Sequence, residues 1–171
     1  ELSDSTTRRI TSDDRIAVDR HAAVSPDGST IAYETTRFGN EGNVSLWDVD
    51  ASSEQRVSSG RINDGRPRFS PEGDRIVFIS SGGDQATSEA LVVRVGDTEF
   101  ETWTDQGNVA FPTFCGEDAI VFGWEAISYT EPLELWRKTR LGDAERIGNH
   151  TIEVTSLDCV RDGSAVVASL Y

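Results

Sequence analysis

The sequence predicts an all-β chain built from stacked, hairpin-connected sheets. Three observations carry this. One phrase recurs: "AVSPDGSTIAYE" at 23–34 returns as "RFSPEGDRIVF" at 68–78. Four versions of it align, with Ser25, Ser70, Cys115 and Cys159 as landmarks spaced 45, 45 and 44 apart. After each landmark comes an apolar residue at every second position: Ile31 and Tyr33, Ile76 and Phe78, Ile120 and Phe122, Val166 and Ala168. Alternation with period two is the mark of a strand, and a fixed repeat of this length marks a repeat architecture.

The turn within the phrase follows from its residues. Pro26 and Pro71 preset φ for the first corner of a type I turn, and Gly28 and Gly73 can enter the left-handed region without a steric cost. The third copy is shorter, Cys115-Gly116-Glu117-Asp118, and the fourth runs Val160-Arg161-Asp162-Gly163. Both read as looser hairpin turns. A third strand follows in each full repeat: "VSLWDVD" from Val44, "ALVVRV" from Ala90 and "LELWRKT" from Leu133. Trp47 and Trp136 align as equivalent inter-sheet core residues, with Val92 between them in the series; Trp103 and Trp124 break the pattern. A fourth, more polar strand closes each unit: "EQRVSS" at 54–59, "EFETWT" at 99–104 and "AERIGN" at 144–149. The segment "TTRRITS" at 6–12 matches this last strand.

One four-stranded sheet of this size buries too little to stand alone. Radial stacking around an axis is the solution known at this repeat length, so the fold class is a β-propeller of about three and a half blades. Residues 1–171 read as one domain or part of one: outer strand 6–12, repeats at 21–60, 66–105 and 111–149, and an incomplete repeat at 155–171. A single long sandwich would not space its landmarks so evenly.

Composition bounds the function. Acidic residues outnumber basic ones 30 to 16, for a formal charge of −14. That balance argues against a nucleic-acid partner, because phosphate binding requires a basic face. No apolar run reaches the length of a membrane span, and the polar N-terminus lacks the apolar core of a signal peptide. The basic residues are almost all arginine, Lys138 being the one lysine. Two cysteines and two histidines have no metal-ligand spacing, so no metal and no cofactor is expected.

The run "SPDGSTIAYE…LWDVD…QRVSS…RPRFSPEGDRIVFIS" resembles the TolB-like propeller repeat, which also builds the N-terminal propellers of prolyl-oligopeptidase and acylaminoacyl-peptidase enzymes. The resemblance covers nearly the whole chain. It implies a propeller and says little of function, because one propeller scaffold serves many roles. Rings of this family close with six or seven blades. Three and a half blades therefore read as a piece of a longer ring or, failing that, as one half of a homodimeric ring.

No nucleophile or acid/base pair is legible. There is no GxSxG elbow, and Ser25 and Ser70 read as turn-initiating hydroxyls. His21 falls on the innermost strand, where Arg66 and Phe111 stand in the next repeats; it lines a central channel or is a partly exposed strand residue. Asp13, Asp14, Asp19 and Asp64 precede innermost strands and read as solvated loop charges, with a hard cation as the alternative. Trp124, Ile127 and Tyr129 lie in "WEAISYTEPLE" at 124–134, read as an aromatic loop that forms a binding surface or folds back on its own blade. Cys115 and Cys159 sit at equivalent places in adjacent repeats. Neighbouring blades diverge from the axis and a disulfide needs Cα atoms within about 7 Å, so two buried thiols are favoured over a disulfide. The expectation is a non-catalytic module that binds a protein or peptide, periplasmic or extracellular. The alternative is the gating propeller of a prolyl-oligopeptidase-type peptidase.

Overall fold

The structure, a computed structural model, describes residues 7–11, 16–39, 41–58, 63–82, 87–104, 107–125, 133–151 and 154–170. Fourteen strands and no helix are found among them. Blade 1 is the meander β1 (Asp19–Val24), β2 (Thr30–Thr35), β3 (Asn43–Asp48) and β4 (Ser53–Arg56), hydrogen-bonded in that order. Blade 2 is β5 (Asn63–Phe69), β6 (Arg75–Ser81), β7 (Ser88–Arg94) and β8 (Glu101–Thr102). Blade 3 is β9 (Asn108–Phe114), β10 (Ala119–Glu125), β11 (Glu134–Thr139) and β12 (Ala144–Thr151). A hairpin of β13 (Val154–Cys159) and β14 (Val166–Leu170) opens a fourth. Every pairing within a blade is antiparallel, and a single parallel bridge, Ser88 to Asn108, ties blade 2 to blade 3. The chain is a partial propeller.

The inner hairpin turn is built as its residues require. Ser25 accepts the Gly28 amide on its carbonyl at 2.9 Å, and its hydroxyl accepts the Thr30 amide at 2.9 Å. Ser70 repeats both contacts with Gly73 and Arg75. Gly28, Gly73, Gly116 and Gly163 share φ between 75° and 79°, so the third and fourth turns keep the same left-handed corner as the first two. Val160 accepts from Gly163 and pairs with Ala165 as Ser25 pairs with Thr30. The true landmark of the fourth copy is therefore Val160. Cys159 pairs with Val166 as Phe114 pairs with Ile120 and Phe69 with Ile76, one place earlier in the repeat.

Register corrects the tryptophan alignment as well. Trp47 lies opposite Ile31, whereas Trp136 lies opposite Phe122. Ile31 corresponds to Ile120, so the two tryptophans differ by two places. Trp136 matches Leu91 and Ser45, and Trp47 matches Val93 and Lys138. Similar letters had been aligned where the hairpin lengths differ.

Two cores lie between the blades. Blade 1 presents Ala32, Val44, Leu46 and Val57 to Ile76, Phe78, Leu91 and Val93 of blade 2. Blade 2 presents Val77, Ala90, Val92 and Trp103 to Val109, Phe114, Ile120 and Phe122 of blade 3. The faces that blades 1 and 2 present correspond place for place: Trp103 donates its amide to Ala90 as Val57 does to Val44. Trp103 is thus in register and buried. Because blade 2 is covered on both faces, Ile76, Val77 and Phe78 are all buried in succession, and successive strand residues alternate between two cores rather than between core and water.

Cys115 and Cys159 form a disulfide, with Cα atoms 5.2 Å apart, which corrects the expectation of two thiols. The one-place offset between them is the reason. Cys115 opens its turn while Cys159 still lies on β13, so the two meet across the narrow gap where inner strands converge. Residues 7–11 form no strand, contrary to the outer strand expected at 6–12. Arg8 donates to the Ser52 hydroxyl at 2.6 Å.

Candidate functional site

The innermost strands share a defect that the sequence did not announce. In β1, β5 and β9 the register slips at the same place: two residues face one on the neighbouring strand. The first residue of each bulge is His21, Arg66 or Phe111, with φ of 54°, 55° and 52°. Left-handed backbone costs a non-glycine residue about 1–2 kcal/mol, so three copies persist only because the sheet imposes them. Pro67 and Pro112 follow two of them and are buried; proline fits a bulge because a ladder hydrogen bond is missing there. Bulges re-aim side chains. Here three consecutive blades aim chemically different side chains from the same backbone position.

Beside His21 and Arg66 lies a cleft of about 230 Å³, lined also by Arg20, Glu34, Asn63 and Gly65, among others. Its fixed point is the Glu34 carboxylate, whose side chain is 4% exposed. Glu34 accepts from Arg20 Nε at 2.7 Å and pairs with His21 Nδ1 at 2.8 Å. Gly65 makes room for it: a Cβ there would stand 2.2 Å from Glu34 Oε2. Arg66 stacks on its neighbour in the next blade, its guanidinium 4.6 Å from the Phe111 ring centroid, a cation–π contact. Burial lowers the Arg66 pKa from its ordinary value, with Arg20 and Arg68 adding like-charge repulsion and Glu34 opposing it.

The residues expected to form a site are placed as follows. His21 joins the cleft through Glu34 and is one-third exposed. Trp124 is on β10 instead of in a loop, pairing with Val109 and Glu134. Its ring packs 5.5 Å from Trp136 against the second core and fills the space above Gly107, where a Cβ would lie 2.0 Å from Trp124 Nε1. Ile127 and Tyr129 lie outside the described residues, as do Asp13 and Asp14. Asp19 lies on β1, exposed and ion-paired with Arg37 at 3.0 Å; Asp64 lies on β5, buried, and accepts from Ser80 at 2.5 Å, so Asp64 is not the solvated loop charge expected. Ser25 and Ser70 are committed to their turns.

Glu34 was missed by sequence reading. The signal was present: where the copies read "IAYE", "IVFI" and "IVFG", the fourth letter is an acid, an aliphatic residue and a glycine. A charged residue in a strand position occupied elsewhere by Ile79 is a departure from the repeat.

Comparisons with solved structures agree with this architecture. A protein of Agrobacterium tumefaciens assigned as TolB superposes with a TM-score of 0.65 at 23% identity, over 86% of this chain and 57% of that one. The fold is that of a TolB-like propeller. A puromycin-hydrolysing peptidase of Mycobacterium tuberculosis also superposes, with a TM-score of 0.66 at 13% identity over 81% of this chain and 23% of that one. An uncharacterized protein of Agrobacterium fabrum is 37% identical over 62 residues, which is 35% of this chain. The chain corresponds to 20% of that relative's length and to 57% of the Agrobacterium tumefaciens TolB-type structure. No family model matches the chain.

Proposed function

We propose that this chain is a non-catalytic propeller module that binds a protein or peptide along its axial face. The observation that carries the reading is the shared bulge. Its backbone is constant over three blades while its side chain changes from His21 to Arg66 to Phe111. A rigid scaffold that varies only the presented group is how binding surfaces are made on repeats. The hydroxyls that could have served as nucleophiles are held in turns, which supports a role without chemistry of its own. An extracytoplasmic setting belongs to the same proposal and is supported by the Cys115–Cys159 disulfide, since such bonds persist in oxidising compartments. No helix among the described residues is long and apolar enough to cross a membrane.

The test is positional cross-linking in the source cell. A photo-reactive residue replacing Phe111 should give discrete protein adducts, and one replacing Leu141, 96% exposed at the outer rim, should not. Equal labelling from both positions would remove the axial reading. The likeness to peptidase propellers favours a second reading, a gate for a catalytic domain encoded elsewhere in the gene. A Gly-x-Ser-x-Gly elbow with later Asp and His in the gene would establish it.

A further inference from the structure

We propose that the axial cleft captures a carboxylate of its partner, with Arg66 as the anchor. This deepens the protein-binding reading and rests on it. The charge pattern comes first. The molecule carries a formal charge of −14, yet Arg20, His21 and Arg66 line the cleft from β1 and β5, with Glu34 of β2 and Ile79 of β6 beside them, and Arg68 follows on β5. Arg20 and His21 are already engaged by Glu34. Arg66 is not: among the described residues its guanidinium contacts the Phe111 ring and feels Glu34 only through its field, with no hydrogen bond to either.

That combination leaves a cation open to a ligand. The guanidinium has five donors, Arg66 is partly buried, and none of its nitrogens is among the side-chain atoms buried without a partner, so the donors stay accessible from the cleft. Phe111 lies against the guanidinium, with its ring centroid 4.6 Å away, and Arg66 lines the cleft. A planar fork held by stacking is preorganised for a two-pronged bond to a carboxylate. Asn63 and the ring of His21 supply further polar groups on the same wall. The volume of about 230 Å³ is several times the roughly 30 Å³ share of one water, enough for an acidic side chain to enter. Glu34 sets the selectivity. It neutralises Arg20, so the cleft does not act as a general polyanion site, and it repels an anion placed away from Arg66.

The probe is a fluorescent five-glutamate peptide with blocked ends, titrated by anisotropy against the whole chain. Two further peptides separate the sources of the carboxylate: five glutamines with blocked ends, and five glutamines with a free C-terminus. Binding of the glutamate peptide alone assigns the site to acidic side chains. Binding of the free-ended glutamine peptide assigns it to a chain terminus. Arg66→Gln should weaken either by about tenfold or more, and Arg94→Gln, a surface control, should leave both unchanged. Arg66→Lys should recover only part of the loss, because it keeps the charge and loses the fork. Thermal melts of each variant separate loss of binding from loss of fold; if Arg66→Gln unfolds, Arg66→Lys and Phe111→Leu take its place in the same titration. Equal affinity of the parent and a folded Arg66 variant overturns the proposal. So does equal binding of all three peptides. Cross-linking at position 111 without carboxylate preference would leave axial protein binding standing and refute the anchor alone.

Discussion

Asp27 shows how much a single turn residue carries. The Ser25 hydroxyl donates to its carboxylate at 2.6 Å, and the Ser29 amide and hydroxyl add to this. These hydrogen bonds pull the Asp27 pKa from 3.8 down to about 2. A depressed carboxylate contributes stability that is complete above its unfolded value and disappears as pH falls through its folded value. Asp27→Asn should therefore destabilise the chain at neutral pH. The gap from the parent should close as pH falls from 3.8 toward 2, as read by urea midpoints along a pH series. A gap that stays constant over that range would reject the assignment. Gly65 carries the cleft in a different way. Gly65→Ala drives a methyl into Glu34 and breaks its pairing with Arg20 and His21, at a cost of about 1–3 kcal/mol in urea unfolding. In a Glu34→Ala background the same change should cost much less, because the clash is gone; additive costs would show that the two residues are not coupled.

Strands and hairpins explain why some of this was visible in advance and some was not. The inner hairpin was legible because turn chemistry is local: Pro26, Asp27 and Gly28 act through their own backbone. The third strands were legible as strands, but their alignment was not, because register depends on hairpin length. Ile31 and its partner Trp47 are 16 positions apart, but the equivalent pair Ile120 and Lys138 are 18 apart, and that longer connection misplaces Trp136 by two positions. Trp124 was read as a loop aromatic for the same reason: the alternation that marks a strand is hidden when both of its faces are buried. The disulfide also belongs to this scale. It closes a loop of 44 residues between blade 3 and the last hairpin, worth about 4 kcal/mol in the chain-entropy account. Reduction, or Cys115→Ala with Cys159→Ala, should lower the melting temperature of the chain. It should also raise hydrogen exchange in 154–170 more than in 19–56. Uniform exchange across both segments would mean that the last hairpin is held by packing alone.

At the scale of the whole molecule, blade 2 is covered on both faces by blades 1 and 3, and the innermost strands are where the blades differ. The charges follow the same division. Acidic residues dominate the composition, while the cleft between β1 and β5 gathers cations around one buried acid. Blade 2 and blade 3 are also joined at their turns, where Arg75 pairs with Glu117 at 2.8 Å and lies over the Phe114 ring. Such contacts hold neighbouring blades as rigid partners, so side chains aimed at the axis keep fixed separations. That rigidity is what a preorganised binding cleft needs.

Sequence alone determined the repeat, the four-stranded blade and the turn geometry, because these depend on neighbours within a few residues and on a period that can be counted. Tertiary structure alone decided the bulge at His21, Arg66 and Phe111, the burial of Glu34 beside Gly65, and the meeting of Cys115 with Cys159. Each of these joins residues from different strands or blades. Their spacing is set by strand register and by convergence at the axis, and neither quantity is written in any local stretch of the chain.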